Sequence, residues 1–365
     1  MNAGGLAFTL LLVATAAWMV LPLLPAIREL LHPADASPLR QVGQDAGDLG
    51  VFAERFRQYV TAALPEAPAD SGTFADGTPY VRLNGHPETL GGLALADGSV
   101  HRLVVASGPV QFAGGETFAL EVYAQDRFSG GPRAAYRALR IEGDGELGVE
   151  SQILRWAHAD GHLLVGPGSS LSGRTTAGGT IRLLGGVRFS RLRATRVIAG
   201  DREPAALPPR PAVTTSTMKL PRTARQERGF IRVEGDLDLP SGATLVGTLV
   251  VTGVLRIGAG AQVVGDVKAH GTCHVGDDAV VDGAIVSRTD VILGGGARVV
   301  GPVVAEEHCT IGTMATIGRP EIPSSVAARN IVMHDGAQVF GAVSAQESGE
   351  TLARTFTQRS QDIRG

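Results

Sequence analysis

Residues Gly265 to Gly283 read Gly-Asp-Val-Lys-Ala-His-Gly-Thr-Cys-His-Val-Gly-Asp-Asp-Ala-Val-Val-Asp-Gly, and the two flanking glycines lie 18 positions apart. That interval recurs on both sides. Gly229, Gly247, Gly265, Gly283 and Gly301 form one column at this spacing, and Ala243, Ala261, Ala279, Ala297 and Ala315 form a second. Gly258, Gly276, Gly294 and Gly312 form a third. Repeated identity at a fixed period marks a solenoid, in which each repeat is one structural unit stacked on the last. Within each 18 a finer period of six appears: Leu249 and Val251, Leu255 and Ile257, and Ala261 and Val263 are apolar at i and i+2. A strand alternates faces with period two, so each hexad supplies one short strand with its apolar pair inward and a corner after it. Three strands per turn predict an all-β triangular β-helix of 18-residue turns over 229–345, with the glycine columns at corners that require positive φ.

Stacked turns are about 4.8 Å apart, so the six or so turns predict a rod about 30 Å long. After Ile317 the register changes, since Ala337 follows Ala315 by 22 residues. The extra residues fall in Arg319–Ser325, where Pro320 and Pro323 predict a loop bulging from a corner as a contact site, with Ile331, Met333, Ala337 and Val339 resuming the inward pattern. Cys273 and Cys309 share an inward column two turns apart, about 10 Å, which is too far for a disulfide and fits buried small hydrophobes. His270, His274 and His308 do not share one frame position, and His274 points outward, so they read as surface histidines rather than metal or catalytic groups.

The Gly265–Gly283 stretch, its tandem copies and the closing Asp335-Gly-Ala-Gln-Val-Phe-Gly341 resemble the bactofilin family of polymer-forming cytoskeletal proteins. The resemblance covers the last third of the chain. It implies a right-handed triangular β-helix that polymerises end to end without nucleotide, as a bacterial membrane-associated scaffold. A less specific resemblance links Ile257-Gly-x-x-Ala, Val275-Gly-x-x-Ala, Leu293-Gly-x-x-Ala and Ile311-Gly-x-x-Ala to the left-handed β-helix acyltransferases, which acyl-CoA binding would distinguish.

Upstream, 77–200 carries short β-prone runs between Gly and Asp turns at irregular spacing. It reads as an irregular β domain, either a degenerate β-helix continuous with the C-terminal one or a sandwich, the first being preferred. Residues 201–228 hold five prolines and no hydrophobic period, the composition of a linker. From Arg188 to Arg228 ten Lys or Arg face three Asp or Glu, the charge of a solvated tether or of a contact with anionic lipid. In 32–76, Leu49, Phe52, Phe56, Val60 and Leu64 recur at three and four, predicting an amphipathic helix. Residues 346–365 read as a polar tail.

Gly4 to Ile27 is an apolar or small-residue run with no charge, long enough to span a bilayer, and 1–31 is expected to be a transmembrane anchor carried by Leu6, Phe8, Leu10, Leu12, Trp18 and Leu21. It lacks the basic residues that precede a signal-peptide core, and that core is longer than usual. Arg28, Arg40, Arg55 and Arg57 follow it, which places the body on the cytoplasmic side of the inner membrane, the periplasmic side being the alternative. A net charge of −3 gives no general attraction to nucleic acid. Aromatics at 5% and 49 glycines fit tight corners between short strands.

These features predict a non-enzymatic, membrane-anchored scaffold without cofactor or metal. Its expected partners are itself, the membrane and other envelope or cell-shape proteins. Open rod ends present unpaired strand edges, so the assembly residues are expected at the two ends: Phe230 and Ile231 on the first turn, and Val339, Phe340 and Val343 on the last. An acyltransferase-like enzyme and a capped interaction module are the alternatives.

Overall fold

The structure, a computed structural model, describes residues 50–64, 70–83, 97–204, 224–227 and 229–352, together with Leu95 and with Leu12, Thr15, Trp18, Met19, Leu21 and Leu24. Its 33 described strands, β1 to β33 in chain order, build a β-solenoid of about 13 turns. The turns fall into two modules, one before and one after residue 204.

The C-terminal module follows the 18-residue frame. Strand β23 (Val267–Ala269) pairs in parallel with β20 (Thr248–Val251) below it and β26 (Ile285–Ser287) above it, so that Leu249, Val267 and Ile285 stack. The second face stacks Leu255, Cys273, Val291 and Cys309, and the third Val263, Val281, Val299 and Ile317. Every one of these side chains is buried. The outward residue between each pair is less buried, as the alternation requires. At corners an aspartate accepts the backbone N–H of the residue 18 further on: Asp236 from Val254 at 2.8 Å, Asp266 from Ala284 at 2.9 Å, Asp277 from Gly295 at 2.7 Å. The corners therefore satisfy donors that the strand ladders leave over.

Gly229, Gly247 and Gly265 take the positive φ expected of their column, but Gly283 and Gly301 do not, and the column Gly258, Gly276, Gly294 and Gly312 has a different cause. Gly276 and Gly312 have no positive φ. Instead a Cβ on Gly276 would lie 2.7 Å from the backbone N of Ala259, and one on Gly312 would lie 2.4 Å from the carbonyl O of Leu293. Rung-to-rung approach of the backbones excludes a side chain there. The insertion behaves as expected from its spacing: Thr316 pairs with Gln338 and Ile317 with Val339, 22 residues on, while Arg319 and Ile322 bridge across the extra loop.

The upstream module is also a β-helix, which resolves the open choice for 77–200 against a sandwich. Strand β11 (Gln152–Ala159) pairs in parallel with β9 (Ala135–Ile141) and β13 (Ser170–Ala177), and β12 (Leu163–Val165) with β10 (Gly145–Leu147) and β14 (Thr180–Leu183). Its interior is filled by aromatic rings where the C-terminal module uses Val and Ala: Phe112, Phe118, Phe128 and Tyr136 stack or meet edge to face at 5.0–5.5 Å.

One outer face of this module is apolar too. In β4 (Leu103–Ala106) all four residues are buried, because Val104 and Ala106 face the core while Leu103 and Val105 lie under helix α1 (Val51–Ala63). The helix applies Val60, fully buried, and Phe56, whose ring meets Tyr123 at 6.2 Å and Trp156 at 5.5 Å. Thus the expected amphipathic helix packs on the upstream module. Among the described residues no helix is long and apolar enough to cross a membrane. Most of 1–31, including Leu6, Phe8 and Leu10, lies outside the described residues. Leu12, Trp18 and Leu21 are described and exposed, at 57%, 79% and 62%.

Candidate assembly surfaces

Two parallel β-helices can meet at like ends only with their strands running oppositely, and that is how the two modules join. Strand β15 (Arg188–Ala199), the last rung of the upstream module, pairs antiparallel with β33 (Gln338–Thr351), the last rung of the C-terminal module. The pairing extends to all three faces. Arg188 and Phe189 face Glu350 and Gly349 on one, Arg191 to Ala194 face Ser344 to Gly341 on the next, and Val197 and Ile198 face Val339 and Gln338 on the third. The expectation of an open last turn therefore fails. Val339 and Val343 are buried inside this joint, and Phe340 is buried under the Arg196 guanidinium, 5.8 Å from its ring centroid. Residues 346–351, read as the start of a polar tail, form part of the last rung. Gly349 is required there, since a Cβ on it would lie 2.2 Å from the Phe189 ring.

The joint continues the internal chemistry of the upstream module. In an earlier rung the Ser169 hydroxyl accepts the N–H of Ser151 at 3.1 Å and donates to the carbonyl of Gly148 at 3.1 Å. At the last rung the position 18 residues beyond Ser169 is Val187 and not a serine. Thr351 takes its place: its hydroxyl accepts the N–H of Val187 at 3.0 Å and donates to the carbonyl of Leu184 at 2.6 Å. Thr351 is 1% exposed, so replacing it by valine leaves a buried N–H and C=O unpaired. Thr351→Val is expected to destabilise the chain by about 1–3 kcal/mol in urea titration, whereas Thr351→Ser costs less than half of that.

The other end of the C-terminal module differs. Its first rung comprises β17 (Phe230–Val233), β18 (Leu237–Leu239) and β19 (Thr244–Val246), which pair upward with the second rung. Strand β16 (Ala224–Glu227) folds back antiparallel on the outer edge of β17, so Phe230 and Ile231 lie in a hairpin and not at an open edge. Along β18 and β19 the upward hydrogen bonds include Leu237 N–H to Val254, Gly258 N–H to Leu239 and Gly247 N–H to Val264. In a parallel ladder the alternate residues, Asp238, Thr244 and Val246, then turn their N–H and C=O groups the other way. Among the described residues no strand pairs with them. The interior of this rung is closed, with Leu237 at 4% and Leu245 at 6% exposure, so the end offers backbone edges rather than bare core.

Cys273 and Cys309 are fully buried, and burial pushes both thiols up to about 12. A thiol whose folded pKa is raised stabilises the fold below its unfolded value, and that contribution is lost as pH rises through the folded value. Stability is therefore expected to fall between about pH 9 and 12. The Cys273→Ala/Cys309→Ala variant should flatten that fall in denaturant titrations across the range. His274 stands on the outward column between Arg256 and Ile292, and His308 beside Asp290 at 3.0 Å. Among the described residues no group of three or more His, Cys, Asp or Glu could hold a metal ion.

A regular β-helix closed by the antiparallel joint at one end and edged at the other defines the C-terminal module as one part of an all-β solenoid. Residues 237–344 match the bactofilin family, described as polymer-forming cytoskeletal. No curated protein and no solved structure matches the chain. The upstream half of the joint, β15 with Leu192 and Val197, was not among the expected site residues. Its signal was present in the sequence as 18-residue columns: Gly143, Gly161 and Gly179; Leu147, Val165 and Leu183; Ile153, Leu171 and Phe189.

Proposed function

We propose that the chain is a membrane-anchored, non-enzymatic scaffold of the bactofilin type that self-associates through the first-rung edges of β18 and β19. The observation that carries this reading is the contrast between the two ends of the family-matched module. One is closed on three faces by the chain's own β15, and the other turns outward, on two faces, backbone groups that no strand among the described residues pairs. Unpaired edges are templates for another chain, and soluble proteins normally cover them. With one end closed, association through the other yields discrete pairs. The uncharged run of residues 4–27 supports an anchor, and the arginines that follow it support a cytoplasmic body.

Sedimentation velocity and negative-stain microscopy of the full chain in detergent test this. Pairs joined at the C-terminal module are the expected result. A monomer at every concentration would overturn the self-association, and filaments would mean that the joint opens.

A further inference from the structure

The corner of the upstream module nearest α1 is built unlike the others. Between Ile153 and Trp156 of β11, and between Leu171 and Arg174 of β13, the register shifts by one residue against the neighbouring rungs β9 and β15. Two adjacent rungs thus bulge outward together and leave a recess beside them. With α1 on one side and the middle of β33, at Ala345 and Gln346, on the other, the recess becomes an open cavity of about 550 Å³.

Three arginines of successive rungs, Arg155, Arg174 and Arg191, line it, and no carboxylate among the described residues does. The arginines of the same module outside the cavity include several with acidic partners: Arg137 with Glu121, Arg140 with Asp160, and Arg182 and Arg196 with Glu203. Among the described residues Arg155, Arg174 and Arg191 have none. Arg174 is held in place by the Phe52 ring, 4.8 Å from its guanidinium, which leaves the in-plane N–H donors available. The Trp156 ring and the hydroxyls of Ser172 and Ser190 complete the wall.

The geometry points to a binding site for a phosphate-bearing ligand in this cavity. Guanidinium forks match phosphate oxygens two at a time, and three of them converging without a counter-charge leave a concentrated positive field that a phosphate ester neutralises. The cavity also exceeds the size of a single ion, and its aromatic wall suits a group attached to the phosphate. The same chemistry is carried by an anionic lipid headgroup and by a soluble phosphorylated molecule.

Of the two tryptophans, Trp18 and Trp156, only the second lines the cavity, so a Trp18→Phe background makes Trp156 the sole reporter. The full chain in this background is titrated in phosphatidylcholine nanodiscs with inorganic pyrophosphate, and separately examined in nanodiscs of graded phosphatidylglycerol content. A saturable change in Trp156 emission is expected, at least tenfold weaker in Arg155→Gln/Arg191→Gln. Both of those side chains are exposed, so the variant should keep its melting temperature. Arg102→Gln, exposed on another rung, should leave the change intact. Response to pyrophosphate assigns the site to soluble phosphorylated ligands, and response to phosphatidylglycerol alone assigns it to headgroups. No saturable response to either, or one that the double variant leaves unaltered, overturns the proposal.

Discussion

Replacing Leu192 by aspartate is expected to enlarge the assemblies proposed for this chain, while replacing Val343 by aspartate is expected to open the same joint without enlarging them. Leu192 and Val343 face each other across the antiparallel pairing of β15 and β33, at 0% and 1% exposure. A carboxylate buried there without a partner costs about 3–5 kcal/mol, which is enough to separate the two modules from one side or the other. The two variants differ in what they leave behind. Leu192→Asp damages the upstream face and frees an intact last rung of the C-terminal module, with Val339, Phe340 and Val343 ready to pair with another copy. Val343→Asp frees the same rung with a charge on it, and charged ends do not pair. Sedimentation velocity should therefore show species beyond pairs for the first variant only. Calorimetry should show a single unfolding transition splitting into two for both. Equal assembly sizes, with one transition each, would mean that the joint does not govern assembly.

The second large effect is expected at the opposite end. Val246 is 55% exposed on β19, and its N–H turns away from the second rung. Proline there removes that donor and blocks strand addition, while an edge position tolerates proline. Val246→Pro should weaken self-association at least tenfold, read as a shift of the sedimentation isotherm, with the melting temperature held within a few degrees. Combined with Leu192→Asp it should return the enlarged species to pairs joined at the freed last rungs. Unaltered association would remove β19 from the interface.

How much of this was written in the sequence depends on how regular each module is. Alanine and glycine columns at 18 made the C-terminal rungs readable residue by residue, down to the shift that aligns Thr316 with Gln338. The upstream rungs follow the same interval from about Gly143 onward. Before that, Val122 pairs with Leu139 at 17, and later Thr180 pairs with Arg196 at 16. Slips of one or two residues break columns without breaking the fold, because bulges absorb them. Aromatic filling hid the pattern further, since Tyr136 and Phe118 do not resemble the Val and Ala that do the same work downstream. The antiparallel pairing of β15 with β33 was not legible from the repeat. A repeat specifies what stacks on the next turn, and nothing in it announces that Glu350 will meet Arg188 from a chain segment running the other way. Only Gly349 and Thr351 carry a trace, as small residues fitted to Phe189 and Val187.

The two modules are joined at like ends, so the chain leaves the joint near Pro204 and re-enters the fold at Ala224, at the far end of the C-terminal rod. Six rungs at about 4.8 Å separate those points by about 30 Å. Nineteen intervening residues reach about 63 Å when fully extended, so the tether has ample length to let the closure occur within one chain. Closure is then a unimolecular event, with the two faces presented to each other at an effective concentration in the millimolar range. A free copy at micromolar concentration competes for the last rung at a disadvantage of about a thousandfold. The tandem arrangement thus makes the closed joint a matter of kinetics and mass action as well as of contacts: each chain occupies its own end before a neighbour can.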